Sequence, residues 1–340
     1  NAGELSAYIR RCGTSLTDSQ LEQLLKSSEG WFAAVYLNLC SFSKSGELPG
    51  KTSDIYQMFS ASMLNPLPED RKEFLSAMGL ADEFTEEMAE FITKREDVHQ
   101  ILKMLTRQNA FVTCLNDGQT YRFHHMMKEC AFRAFRTLDN SRQAFYYERY
   151  GAWYEKHGAY IHALSAYWRN QNFAAILRVV QKDAGILLAS LKPEDVLEAL
   201  NRCPVSVLKE YPLAILVLMR CMFNWKNIPK MLELKELLLA SIREHPKLSE
   251  EEKGNLLGEC DLIQSFLMYN DISRMSQFHR SASEKMTRPA ISIRSDGGWT
   301  FGSPSVLMMF HRKSGDLDKE LEEMNQCMPH YYKITNGHGQ

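Results

Sequence analysis

The sequence predicts a mainly α-helical protein with one small β-hairpin, and three observations support this. Apolar residues recur every three or four positions in several segments, which is the period of an amphipathic helix. The period shortens to that of β-strands only around residues 111–124, where Asp117-Gly118 is a strong hairpin signal. A helix-pair repeat frame is recognisable from Gly151 onward.

Residues 1–65 are predicted to form a helical domain. Thr17 and Gln20 have the spacing of a capping box, in which each residue satisfies a free N–H group of the other at a helix start. An apolar stripe follows directly, formed by Leu21, Leu24 and Leu25.

Residues 66–140 are predicted to form a winged helix. Pro68 stands at the first turn of one helix, Thr85 caps a second helix over 86–93, and a third covers about 97–109. Two short β segments, 111–116 and 119–124, then precede a helix over 126–136. A winged helix has this order of elements, with helices followed by a β-hairpin.

Residues 141–340 are predicted to form a TPR-like α-superhelical array. The tetratricopeptide frame asks for small and aromatic residues at fixed positions, and seven residues here fill it: Gly151, Tyr154, Gly158, Tyr160, Ala163, Leu164 and Tyr167. Weaker copies at Lys226, Asn270 and Gly315 are irregularly spaced. In such an array each helix pair buries its apolar face against the next pair.

Composition excludes several classes of protein. Lys plus Arg is 40 and Asp plus Glu is 42, so the net charge of −2 argues against a dedicated polyanion binder. No apolar run reaches the roughly 18 residues of a membrane helix, so we expect no membrane partner. The eight Cys residues are scattered and predict reduced thiols in a cytoplasmic protein.

The sequence predicts no enzyme. The segment from Gly46 to Thr52 is one residue short of a phosphate-binding loop and follows a predicted helix, where such a loop follows a strand. No metalloprotease, nucleophile-elbow or dinucleotide motif is present. We therefore predict no catalytic residues and no metal ligands.

Aromatic side chains of the array supply candidates for an effector or partner site. Trp299 lies in an irregular stretch, 287–304, of the length that is usually either functional or disordered. Trp168 and Tyr147 belong to an aromatic run that could form a binding platform. Packing inside the array is the alternative for all three residues. Most of the aromatic run follows helical spacing, and Trp299 would be tucked into the array from an extended connection between repeats.

Two adjacent histidines, His124 and His125, are expected at the junction between the hairpin and the next helix. An imidazolium and a helix N-terminus both favour a phosphate group, and Arg122 and Lys128 lie nearby in sequence. A local capping and packing role is the alternative, and the residues alone favour it.

Several segments resemble one family of regulators. They read LTDSQLEQLLKSSEGWFAAVYLNL, LPEDRKEFL, YRFHHMMKECAFRAF and GAWYEKHGAYIHALSAYW. They are similar to LuxR-type, ATP-dependent transcriptional activators of the STAND class, typified by the maltose-regulon activator. The resemblance is good over residues 14–180 and looser beyond them.

The resemblance implies that the chain is the central, signal-sensing fragment of a longer regulator. ATP or ADP would be the cofactor of the longer protein, with none in the fragment, and DNA would be bound by a missing C-terminal domain. His124 or His125 would approach the ADP phosphates on the protein's own NTPase domain. Phe32 replaces a proline that commonly lies near the adenine. A small effector, a protein or a peptide would bind the concave face of the array.

Two other classes remain open on the sequence. A winged-helix DNA-binding protein would read DNA with the helix over 97–109, whose outward residues would be His99, Gln100, Lys103, Arg107 and Gln108. These include only two firm cations, and a groove reader normally makes several phosphate contacts. A plain TPR scaffold would lack a winged helix. A gel shift distinguishes the first class, and the fold of residues 66–136 distinguishes the second.

Overall fold

A computed structural model describes residues 2–11, 15–28, 35–36, 38–39, 42, 56–57, 59–60, 64–107, 111–268, 271–293 and 314–338. The chain divides into two compact units, Asn1–Trp153 and Tyr154–Gln340. The described residues of both units are mainly helical, and the one sheet among them has three strands. The predicted fold class is confirmed. Across the described ranges, no helix combines the length and apolar character needed to cross a bilayer.

The first unit begins with two short helices, α1 (Ala2–Arg11) and α2 (Asp18–Ser28). The predicted capping box starts α2: the Thr17 hydroxyl accepts from the Gln20 N–H at 3.3 Å, and the Gln20 side chain accepts from the Thr17 N–H at 2.9 Å. Leu24 is fully buried and packs with Ile9 from α1. The amphipathic stripe therefore joins the two helices.

The winged helix follows in the predicted order. Its helices are α3 (Glu69–Met78), α4 (Glu86–Thr93), α5 (Val98–Arg107) and α6 (His125–Thr137), and its hairpin strands are β2 (Val112–Cys114) and β3 (Thr120–Phe123). Thr85 caps α4, accepting from the Met88 N–H at 3.2 Å. A strand that the sequence analysis did not foresee, β1 (Glu83–Thr85), pairs with β3. Three residues are too few to show an alternating pattern.

The sheet has the strand order β1-β3-β2, and both pairings are antiparallel. Its loop is longer than the predicted two-residue turn, since residues 115–119 separate β2 from β3. Gly118 has φ +70°, a left-handed conformation that glycine adopts without strain. The Asp117 carboxylate accepts from the N–H groups of Gln119 and Thr120 at 3.0 and 2.9 Å. Asp117 and Gly118 therefore shape the loop, but they do not form a two-residue turn.

The helix after the winged helix, α7 (Asn140–Lys156), is tied back to it. The Tyr150 hydroxyl donates to the Ala77 carbonyl at 2.9 Å, and the Tyr146 hydroxyl donates to Glu73 at 2.8 Å. Arg149 donates to the Phe91 carbonyl at the end of α4. These hydrogen bonds join α7 to the winged helix at several points along its length. The first compact unit therefore continues past residue 140 to Trp153.

The described part of the second unit is mainly helical, and the links between its helices are short as far as residue 285. The helices are α8 (Tyr160–Arg169), α9 (Phe173–Asp183), α10 (Pro193–Arg202), α11 (Val205–Lys209), α12 (Pro212–Asn224), α13 (Ile228–Glu244), α14 (Glu250–Ser265), α15 (Ile272–Lys285) and α16 (Leu317–Ile334), with 3-10 turns at Leu187–Ser190 and Phe266–Met268. Asn227, Asp271 and Asp316 stand at the N-caps of α13, α15 and α16, each one residue after the position of a weaker repeat copy. Three-residue links, as between α8 and α9, make neighbouring helices antiparallel.

A buried carboxylate ties α7 to α8 and α9 within the second unit. Glu155, whose side chain is 7% exposed, accepts from the Tyr167 hydroxyl at 2.8 Å, from Arg178 at 2.9 and 3.0 Å and from Lys182 at 2.6 Å. The Arg178 guanidinium, followed by the Lys182 and Tyr167 bonds, lowers the pKa of Glu155 to about 2. Tyr167 and Ala163, both residues of the repeat frame, are fully buried.

We expect this carboxylate to make stability fall in acid. An ordinary glutamate pKa is near 4.5, so the depressed folded-state pKa gives stability that is complete above about pH 4.5 and lost as the pH falls toward 2. Glu155→Gln should lower the free energy of unfolding by about 2–3 kcal/mol at pH 7 and flatten its pH dependence in that window. Urea unfolding at several pH values measures this. Glu233→Gln, at a residue 66% exposed, is the control and should leave the profile unchanged.

Candidate functional site

The two predicted phosphate-binding histidines lie where β3 passes into α6. His124 is the N-cap residue of α6, and its Nδ1 accepts from the Met126 N–H at 3.4 Å. Its ring lies 4.2 Å from that of His125, centroid to centroid. His124 is half-buried and His125 is exposed. The sequence therefore placed both residues correctly, and His125 is the one open to solvent.

A strained residue holds His124 in place. Phe111 has φ 60°, which is costly for a side chain of this size. Its carbonyl accepts from the His124 N–H at 2.8 Å. Its ring contacts Phe59 at 4.9 Å and His124 at 5.8 Å. The hairpin thus fixes the backbone and the ring of His124 from one side.

The charges around the histidines are partly balanced. Burial, and after it the neighbouring His125, lowers the pKa of His124 below its usual 6.5, so its ring is mostly neutral at pH 7. Arg122 and Lys128, the cations that the sequence brings near, form ion pairs with Glu83 and Asp82. Such exposed pairs are worth about 0–1 kcal/mol, so a phosphate group could displace them.

The aromatic candidates fall into different surroundings. Tyr147 is half-buried, and its ring meets that of the buried Phe135 at 5.2 Å in an edge-to-face contact. Trp168 is half-buried at 6.1 Å from the Phe173 ring, with the Arg202 guanidinium 5.1 Å from its own centroid. Phe32 and Trp299 lie outside the described residues.

The irregular stretch predicted at 287–304 is described only as far as residue 293. Arg288 donates to the fully buried Glu259 of α14 at 2.7 Å and to Glu252 at 2.6 Å. The Ser292 hydroxyl donates to Glu259 at 2.9 Å. Its first residues are therefore anchored on α14 by polar contacts, which the sequence analysis did not foresee.

The outward face of α5 carries the residues expected of a recognition helix. His99, Gln100, Lys103 and Arg107 are exposed, whereas Gln108 lies outside the described residues. Nδ1 of His99 lies 3.0 Å from the Glu86 carboxylate, which balances part of the positive charge of this face. The opposite face is an apolar stripe, buried at Val98, Ile101, Leu102 and Leu105.

A cavity in the second unit is a feature that the sequence does not predict. It has a volume of about 340 Å³ and lies among α8, α9, the 3-10 turn and α10. Its apolar lining includes Leu164, Trp168, Phe173, Leu177, Leu188 and Val196. Of its lining residues only Asp195 and Glu198 are ionic, and both are exposed. Within the described ranges, no cluster of His, Cys, Asp and Glu could hold a metal ion.

The break in the helical repeat after α9 creates this space. Ala184 and Gly185 have φ values of 50° and +78°, and a Cβ at position 185 would lie 2.5 Å from Val217. The chain therefore turns against α12 and continues as a 3-10 turn instead of a full helix. A shorter element fills less volume, which leaves an opening beside α8 and α9.

Together, the fold and the sites define a class of protein with a winged helix followed by an array of helices that carries an open cavity. Comparison with known proteins narrows this class: residues 60–144 match the MalT winged helix domain family. This match agrees with the predicted winged helix and with the resemblance to regulators typified by the maltose-regulon activator.

Two longer proteins are also similar to this chain. The HTH-type transcriptional regulator AlkS of Alcanivorax borkumensis is 22% identical over 150 residues, which is 44% of this chain and 17% of AlkS. A crystal structure of a STAND protein with a tetratricopeptide repeat sensor from Pyrococcus horikoshii aligns with a TM-score of 0.42 and 18% identity, over 84% of this chain and 41% of that protein. The chain thus spans less than half the length of either protein.

Proposed function

We propose that this chain is the regulatory middle of an ATP-dependent transcriptional regulator, without catalytic activity of its own. In this proposal its first unit restrains a nucleotide-binding module, and its second unit senses an effector or partner. The observation that carries the proposal is the MalT-type winged helix over residues 60–144. A regulator that acts on a bacterial promoter works in the cytoplasm, reaching DNA through a domain outside this chain.

The His124–His125 pair is the proposed link between the winged helix and the nucleotide. The start of α6 carries the positive end of the helix dipole, which favours a phosphate. His125 is exposed beside it, and Phe111 fixes His124. Phe32 is proposed to face the adenine, and Trp168, Tyr147 and Trp299 to serve the effector or partner.

Removing both imidazoles tests this link. In the gene product that contains this chain, His124→Ala with His125→Ala should weaken ADP binding about 10-fold, or roughly 1.4 kcal/mol. Because ADP is expected to hold the inactive state, basal expression from a reporter promoter should rise. Isothermal titration with ADP and the reporter assay measure the two effects.

His99→Ala is the matched control, since His99 is also exposed on the winged helix but lies on α5. It should leave ADP affinity and basal expression unchanged. Equal ADP affinity in the double variant and the parent would remove the histidine pair from the nucleotide site. A parent without any ADP affinity would contradict the proposed function itself.

A further inference from the structure

The cavity of the second unit has the size of a small-molecule site. Its volume is about 340 Å³, within the range of about 300–1,000 Å³ that ligand pockets occupy. An engineered apolar cavity of about 150 Å³ in another protein binds benzene. A cavity of roughly twice that volume accommodates two fused aromatic rings or an aliphatic body of equal size.

The lining favours an apolar ligand. Leu177, Leu188, Val196 and Leu218 are buried in the wall, and Trp168 and Phe173 add an aromatic corner. The Cys203 thiol also belongs to the lining, and burial raises its pKa, which keeps it neutral. A ligand with several polar groups would lose hydrogen bonds to water in this wall, at a cost of about 1–3 kcal/mol for each unpaired group.

The charge at the open side disfavours an anion. The exposed polar residues of the lining are Ser165, Asp195 and Glu198. Arg202 lies on the Trp168 ring, and its guanidinium is 3.4 Å from the Glu198 carboxylate, which balances its charge. A carboxylate or phosphate at this edge would therefore meet net negative charge, whereas a hydroxyl group could bond to Ser165.

We propose that this cavity binds an uncharged, mainly apolar small molecule of about the volume of two fused rings, and that it rejects anions of the same shape. The proposal deepens the proposed function, on which it rests in treating this molecule as the effector. It also assigns Trp168 a place in the binding wall.

Direct binding of two matched probes tests the proposal on the 340-residue chain. Titration calorimetry with 2-naphthalenemethanol should show saturable binding, and 2-naphthoate, which has the same ring system and a negative charge, should bind at least about 10-fold more weakly. Asp195→Asn with Glu198→Gln changes only exposed side chains. This variant should reduce the difference between the probes to about threefold or less, because it removes the repulsion and frees Arg202 from its partner.

A variant that fills the cavity provides the second part of the binding test. Ala199→Phe places a ring among the lining residues and should weaken 2-naphthalenemethanol at least about 10-fold. Asn201→Phe adds the same ring on the exposed side of α10 and should leave binding unchanged. Circular dichroism checks the fold of both, and if Ala199→Phe does not fold, the charge variant decides alone.

Three results would overturn the proposal. They are no binding of the neutral probe, equal binding of the two probes by the parent chain, or unchanged binding in both Ala199→Phe and the variant with Asp195→Asn and Glu198→Gln. None of them bears on ADP binding by the winged helix. Loss of the cavity ligand with intact His124–His125 behaviour would therefore reject this inference alone, and the reverse pattern would reject the proposed nucleotide link alone.

Discussion

Glu259→Ala is expected to lower the free energy of unfolding of the second unit by about 3–5 kcal/mol. Glu259 is 0% exposed and accepts hydrogen bonds from Arg288 and from both the N–H and the hydroxyl of Ser292. Alanine would leave these donors without the Glu259 carboxylate as their acceptor. The surroundings are closely packed, because a Cβ on the neighbouring Gly258 would lie 2.3 Å from Met286. Urea unfolding followed by circular dichroism measures the loss.

Glu252→Ala is the matched control because Glu252 pairs with the same guanidinium. Its side chain is 34% exposed, so water can replace the lost bond to Arg288. We expect a loss of about 1 kcal/mol or less. Similar losses in the two variants would show that burial of Glu259 does not govern the strength of this anchor.

Phe135→Ala is expected to cost the first unit about 3–5 kcal/mol. Phe135 of α6 is fully buried, and its ring meets those of Tyr146 and Tyr147 on α7 at 6.1 and 5.2 Å. Alanine would leave a cavity between the two helices and remove the packing partner of Tyr147. Thermal and urea unfolding report the loss.

Phe145→Ala tests whether the loss of stability at Phe135 comes from its burial or from its aromatic contacts. Phe145 lies 5.2 Å from the same Tyr146 ring but is 39% exposed, with Arg149 and Lys94 over its face. Its removal should cost about 1 kcal/mol or less. A larger loss at Phe145 than at Phe135 would contradict the assignment of the α6–α7 contact as core, and Tyr147 would become a stronger candidate for a binding surface.

Local chemistry explains why the winged helix could be predicted from the sequence. Thr85 caps α4 through a bond to a residue three positions away, and the apolar stripe of α5 needs only the helical period. The junction at His124 follows from the hairpin and helix signals on either side. The strand β1 escaped prediction because its three residues gain their structure from pairing with β3, far along the chain.

The sequence by itself determined the order of the helices and the hairpin in the winged helix, the caps at Thr17 and Thr85 and the position of the histidine pair, because each depends on residues a few positions apart. Only the tertiary structure decided that Arg122 and Lys128 carry acidic partners, that Glu259 receives Arg288 from 29 residues away, and that a cavity opens beside Trp168. Those features arise when distant segments pack together, and no periodicity along the chain records which side chains then meet.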